Sequence, residues 1–177
     1  MATTKVITGE VRFSYVTVFT PSAMNEGEEP KYSVSIIIPK SDKDTLDKIN
    51  KAIEAAKEVD KAKIADKSGK VPANLRIPLR DGDLDRPDSP EYAGCYFINA
   101  NSSRKPGIVD ANLEPIMSQD EFYSGCYGRA SINFYGYNFN GVSKGIGCGL
   151  NNLQKLRDGE RLGGGSSAAD DFADDLA

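Results

Sequence analysis

The chain has 177 residues, 39% of them hydrophobic and 27% charged, which suffices for one domain with a real core and leaves little for a second. It holds three cysteines, no histidine, and 22 Lys plus Arg against 26 Asp plus Glu. Cys/His zinc sites and Ser-His or Cys-His nucleophiles are thereby excluded, and the net charge of −4 argues at first sight against a polyanionic partner.

No apolar run approaches the ~20 residues of a membrane span, and the first residues lack the apolar core of a signal peptide; a soluble cytoplasmic protein is expected. Residues 6–20 are rich in β-branched and aromatic types and predict a first strand ending at Pro21. After a polar loop, Tyr32, Val34, Ile36 and Ile38 alternate with Ser33 and Ser35, predicting a strand over 31–39 with one buried face. Ser41 and Asp44 form a capping-box pattern ahead of Leu46, Ile49, Ile53 and Ala56, which predicts a helix over about 41–66.

Residues 70–90 carry four prolines and read as irregular chain around a short extended piece, 75–79. Strands are expected over 92–101 and 106–110, a loop over 115–124, and two strands, 125–140 and 141–150, joined by a turn at 138–141. A short polar stretch, 151–162, closes the body. Residues 163–177 are Gly/Ser-rich and then acidic, which predicts a disordered tail. That tail carries four Asp and no base, leaving 22 of the 26 acids for the body against its 22 bases. The pattern is a mainly β body, 1–162, built as a barrel with one inserted helix.

In the strand 125–140, Cys126, Gly128, Ala130, Ile132 and Phe134 share one face, small and apolar enough for a barrel interior. The other face carries Tyr127, Arg129, Ser131, Asn133, Tyr135, Tyr137 and Phe139. Aromatic rings with a guanidinium and amides can stack bases and hold a phosphate backbone; the same face can equally cover a packing layer or a homodimer interface. Gly145, Gly147 and Gly149 form a stripe on the next strand, which either admits a ligand chain or accommodates barrel curvature. Asp81, Asp83 and Asp85 are spaced like the start of a calcium loop, but Arg86 and Tyr92 occupy its glycine and glutamate positions, so a solvated turn is expected and no metal. Arg76, Arg80, Arg104 and Lys105 are candidate phosphate contacts on flanking loops. In the tail, Phe172 and Leu176 stand among Asp170, Asp171, Asp174 and Asp175, an acidic segment with apolar anchors suited to a basic, pocketed partner.

The run from Tyr123 to Tyr137, the following segment from Lys144 to Gly163, and the acidic terminus resemble the single-stranded DNA-binding proteins of tailed bacteriophages. The resemblance implies an OB-fold barrel of five strands that coats single strands in DNA replication and recombination, without catalysis or cofactor. It implies that Tyr127, Arg129, Tyr135 and Tyr137 face DNA, with Lys144 on the adjoining strand. It also implies that Asp170–Leu176 meets replication proteins and competes with DNA.

Overall fold

The structure, a computed structural model, describes residues 3–23, 27–139 and 143–162. Its strands are β1 (Lys5–Ile7), β2 (Val11–Ser22), β3 (Lys31–Pro39), β4 (Leu79–Asp81), β5 (Cys95–Ser102), β6 (Gly107–Val109), β7 (Tyr127–Phe139) and β8 (Ser143–Arg157). Three helices intervene: α1 (Lys43–Val59), α2 (Lys61–Ile64) and the single turn α3 (Gly82–Asp85). Pairing runs β7-β2-β3-β5-β8, and β7 pairs again with β8, closing a ring of five strands. This is the OB-like barrel that the resemblance implied, with β1, β4 and β6 as short additions to its wall.

On β3, Val34, Ile36 and Ile38 enter the core beside Ile98 and Ala100 of β5 as expected, but the strand is not buried on one face alone: Ser35 and Ile37 of the other face are covered by Tyr92 and Phe97. On β7 the interior residues are Ala130, Ile132 and Phe134, facing Leu153, Leu150 and Cys148 of β8, and Cys126, just before the strand, is buried in the same core. On α1, Leu46, Ile49, Ala52, Ile53 and Ala56 are buried at helical spacing and seal the barrel. On its exposed face Asp47 and Lys51, four residues apart, pair at 3.0 Å.

Four further expectations need correction. The N-cap of α1 is Asp42, whose carboxylate accepts from the Thr45 N–H at 3.2 Å; Ser41 lies one residue outside the cap. The helical segment breaks at Asp60 into α1 and α2, and Asp60 there accepts the Gly136 N–H of β7 at 2.7 Å. The first strand divides into β1 and β2, with Gly9 between them donating to Thr45 Oγ1 at 3.0 Å. Finally, β8 continues through Arg157, seven residues beyond its expected end at Leu150. There Asn151 is an extra residue in the β7–β8 register, so that Asn152 and Gln154 turn outward while Leu153 is buried. The expected disordered tail, 163–177, lies outside the described residues.

Candidate nucleic-acid interface

β7 pairs with β2 only at Val11↔Gly128 and Arg12↔Tyr127; beyond that point its neighbours are β1 and β8. The β7–β8 hairpin therefore runs on past the barrel wall, and its outer face carries the predicted row of polar and aromatic side chains.

Toward the hairpin tip that row lies on the glycine stripe. Asn133 pairs with Gly149, Tyr135 with Gly147 and Tyr137 with Gly145. A Cβ added at Gly147 would fall 2.7 Å from Cζ of Tyr135, and one at Gly149 would fall 2.8 Å from the Asn133 amide oxygen. At Gly145 the same construction meets the Tyr137 hydroxyl at 2.9 Å and the Arg76 carbonyl at 2.6 Å. The glycines are thus neither mere bends nor bare backbone; they are the bed on which the side chains of β7 lie. Tyr135 remains 37% exposed with one side against backbone, and burial of its remainder pushes the phenol pKa above its ordinary value.

Arg76 joins this patch from the long connection, whose backbone bridges Gly145 and accepts the Ile146 N–H at 2.8 Å. Lys144 is adjacent, with its Nζ donating to the Ala65 carbonyl at 3.0 Å. On the inner side of β7, Asp60 and Ile64 press against Gly136. The helical break therefore braces the strand that carries Tyr135 and Tyr137. Phe139 ends β7, and its side chain lies outside the described residues.

Tyr127 and Arg129 stand at the opposite end of the same face, in different company. The Tyr127 ring lies between two guanidiniums, Arg157 at 3.8 Å and Arg12 at 5.2 Å from its centroid. Beside it, Tyr123 carries Arg161 at 4.2 Å and Lys155 at 5.3 Å. The Tyr123 hydroxyl donates to Asp158 at 2.9 Å, and Lys155 pairs with the same carboxylate at 2.6 Å. Those two hydrogen bonds, the lysine's first, hold the Asp158 carboxyl below the usual range. Arg129 is exposed, its Nε donating to the Thr8 carbonyl at 3.1 Å.

The remaining loop candidates do not gather at either place. Arg80 pairs with Asp85 at 3.5 Å, and Lys40 spans Asp81 and Asp83 at 2.9 and 2.8 Å. The supposed calcium carboxylates thus face cations, and Asp81 also caps α3 by accepting from the Asp83 N–H. Lys105 lies 5.7 Å from the Phe19 ring, with Arg104 beside it in the loop between β5 and β6, two strands that both pair with β8. Sequence reasoning missed Arg12, Tyr123, Lys155, Arg157 and Arg161 as a group. Of these only Arg12 sat on an outward strand position, and the others fell in segments read as loop or polar stretch.

The family model of the ssDNA-binding protein of Enterobacter phage Enc34 matches residues 4–177. The p50 protein of Acyrthosiphon pisum secondary endosymbiont phage 1 is 34% identical over 179 residues, covering 98% of this chain and 94% of its own. The Enc34 protein solved in complex with ssDNA is 30% identical, with a TM-score of 0.75 over 90% of each chain. The single-stranded DNA-binding protein gp2.5 of bacteriophage T7, 14% identical, shares the fold at a TM-score of 0.62 over 94% of this chain and 99% of its own.

Proposed function

Because the chain belongs to the family of the single-stranded DNA-binding protein of Enterobacter phage Enc34, we propose that it binds single-stranded DNA without regard to sequence. Bases stack on Tyr135 and Tyr137, with Asn133, Arg76 and Lys144 alongside. The observation that carries this reading is the seating of the Tyr135 ring on Gly147, with the Tyr137 hydroxyl against Gly145. A ring pressed on backbone has already lost its freedom on one side and offers the other to a base, and every base has a π-face to meet it. Stacking of this kind is worth about 1–3 kcal/mol per base.

The protein acts by binding, without catalysis, in phage DNA replication and recombination in the host cytoplasm. Tyr127, Arg129 and Phe139 extend the DNA-facing row, and Arg80, Arg104 and Lys105 supply more distant phosphate contacts. The acidic segment Asp170–Leu176 recruits replication proteins and competes with DNA for the barrel, since its four Asp offer a polyanion of the same sign. The body is formally neutral, so a local basic surface can still attract phosphate.

Titration of tyrosine fluorescence with oligo-dT at two salt concentrations tests the central claim. Quenching with an affinity that falls as salt rises is expected; absence of quenching and of a gel shift at low salt would overturn it. Deletion of residues 163–177 is expected to tighten binding, and unchanged or weaker binding refutes competition by the tail. Should Tyr135→Ala with Tyr137→Ala abolish self-association while sparing DNA binding, the tyrosine face is a dimer interface instead.

A further inference from the structure

We propose that Arg157 and Arg161, held on the rings of Tyr127 and Tyr123, form a second contact for the sugar-phosphate backbone of the same strand whose bases stack at the hairpin tip. The inference rests on the single-stranded DNA reading above and adds residues and a binding mode to it.

Four cations converge on the two rings, and they are unequally committed. Arg12 donates from Nε to the Gly125 carbonyl at 3.0 Å and from Nη2 to the Glu160 carbonyl at 2.8 Å, so it fastens the segment after β8 to the barrel. Lys155 is drawn to Asp158, its side chain only 16% exposed. Arg157 gives Nε to Glu10 at 2.5 Å, while its two terminal amino groups make no hydrogen bond among the described residues. The Arg161 guanidinium makes no hydrogen bond or ion pair among the described residues and rests on Tyr123. Both are solvent-facing, Arg157 with 59% of its side chain exposed. A guanidinium already held over a ring loses less freedom on meeting a phosphate than a free one, and its planar fork matches two phosphate oxygens.

The two tyrosine rings at the base already have cations stacked on them, so they are poorly placed to take bases. They serve as mounts for charge. Tyr127 and Tyr135 share one face of β7, eight residues or about 26 Å apart at ~3.3 Å per residue. A strand lying along that face passes Asn133, Ser131 and Arg129 on the way from one patch to the other. One OB barrel covers roughly 4–16 nucleotides, so a short oligonucleotide can occupy the tip alone and a longer one reaches both patches.

The test uses the full chain with oligo-dT of about 4 and about 16 nucleotides across a salt series. Arg157→Ala with Arg161→Ala is expected to leave the short oligonucleotide unaffected and to weaken the long one. It should also flatten the slope of log affinity against log salt by about 1.4, two phosphates at ~0.7 each. Arg157→Lys with Arg161→Lys should keep most of the slope, and an unchanged melting temperature certifies the fold of both variants. An unaltered slope on the long oligonucleotide, or an equal loss on the short one, overturns the proposal. So does a slope change that disappears once residues 163–177 are deleted, which would assign the cluster to the acidic tail. Failure of the unmodified chain to bind either oligonucleotide would instead overturn the single-stranded DNA reading itself.

Discussion

The two ends of β7 carry tyrosines on the same face, and glycines lie close to both, yet the glycines do opposite work. At the tip, Gly147 and Gly149 meet the far ends of side chains, Tyr135 and Asn133, while Gly145 also meets backbone, the Arg76 carbonyl. At the base, a Cβ on Gly125 would run into the Glu160 carbonyl, one on Gly128 into the Gln154 carbonyl, and one on Gly159 into the Gly125 carbonyl. Backbone pressed on backbone cannot yield, whereas a tyrosine ring can swing into solvent. The tip is therefore an aromatic surface whose side chains can be displaced without moving the backbone beneath them. The base is a clamp of chain on chain, held by Arg12 and capped by charge.

Substitution of the glycines breaks this comparison most directly. Gly125 has φ +116°, which side-chain-bearing residues rarely adopt, so Gly125→Ala combines backbone strain with a collision. A loss of roughly 3 kcal/mol is expected, or about 6–12 °C in melting temperature. At the tip, Gly147→Val should displace the Tyr135 ring and leave the melting temperature within about 2 °C, since only a side chain must move. It should weaken oligo-dT binding by roughly 5- to 150-fold, the value of about 1–3 kcal/mol of stacking. Equal thermal losses in the two variants would erase the distinction. The tyrosines themselves give the companion measurement: Tyr135→Ala with Tyr137→Ala should match or exceed the binding loss of Gly147→Val, again without unfolding.

The contrast also marks where the sequence was legible. Period-two alternation disclosed β3 and both faces of β7, because the inside of a barrel accepts only small or apolar side chains at positions such as Ala130 and Ile132. Tyr135 and Tyr137 were found for the same reason. The extension of β8 was hidden because the extra residue Asn151 shifts the phase, so that Leu150 and Leu153 face inward three positions apart. The glycine stripe offered two readings, and neither included a bed for tyrosines, since that depends on the cross-strand partner. The base cluster joins residues 12, 123, 127, 155, 157 and 161 through ring contacts between distant segments, which no local spacing encodes.

Thiol chemistry sharpens the comparison at smaller scale. Cys148 lies on the interior side of β8, opposite Phe134, and Cys126 is buried between Gly125 and the start of β7; burial pushes both thiols above their ordinary pKa. In the unmodified protein a disulfide reagent at about pH 8 should find Cys95 first, with Cys126 and Cys148 reacting only on unfolding. Gly147→Val should leave Cys148 protected, because the ring it moves is on the outer face. Gly125→Ala should speed the reaction of Cys126. Rapid labelling of Cys148 in Gly147→Val would mean that the tip opens through the barrel wall and is no surface device.

The smallest expected effect concerns the charge that steadies the base. Asp158 is exposed, and its carboxyl is held below the ordinary value by the Lys155 hydrogen bond and then by that of Tyr123. A depressed folded-state pKa adds stability above the unfolded value, about 3.8, and that contribution is lost as pH falls from there through the lower folded value. Solvent screens an exposed pair, so the change is modest. Melting curves between about pH 6 and pH 2.5 should therefore converge for the unmodified chain and Asp158→Asn at the acid end and differ slightly at pH 6. The carboxylate that braces the tip is Asp60, which does not touch the base cluster, so the affinity of the short oligo-dT through Tyr135 and Tyr137 should not follow the Asp158→Asn difference. If tip binding did follow it, the two patches would be coupled through β7, and their separate roles would have to be recast as one.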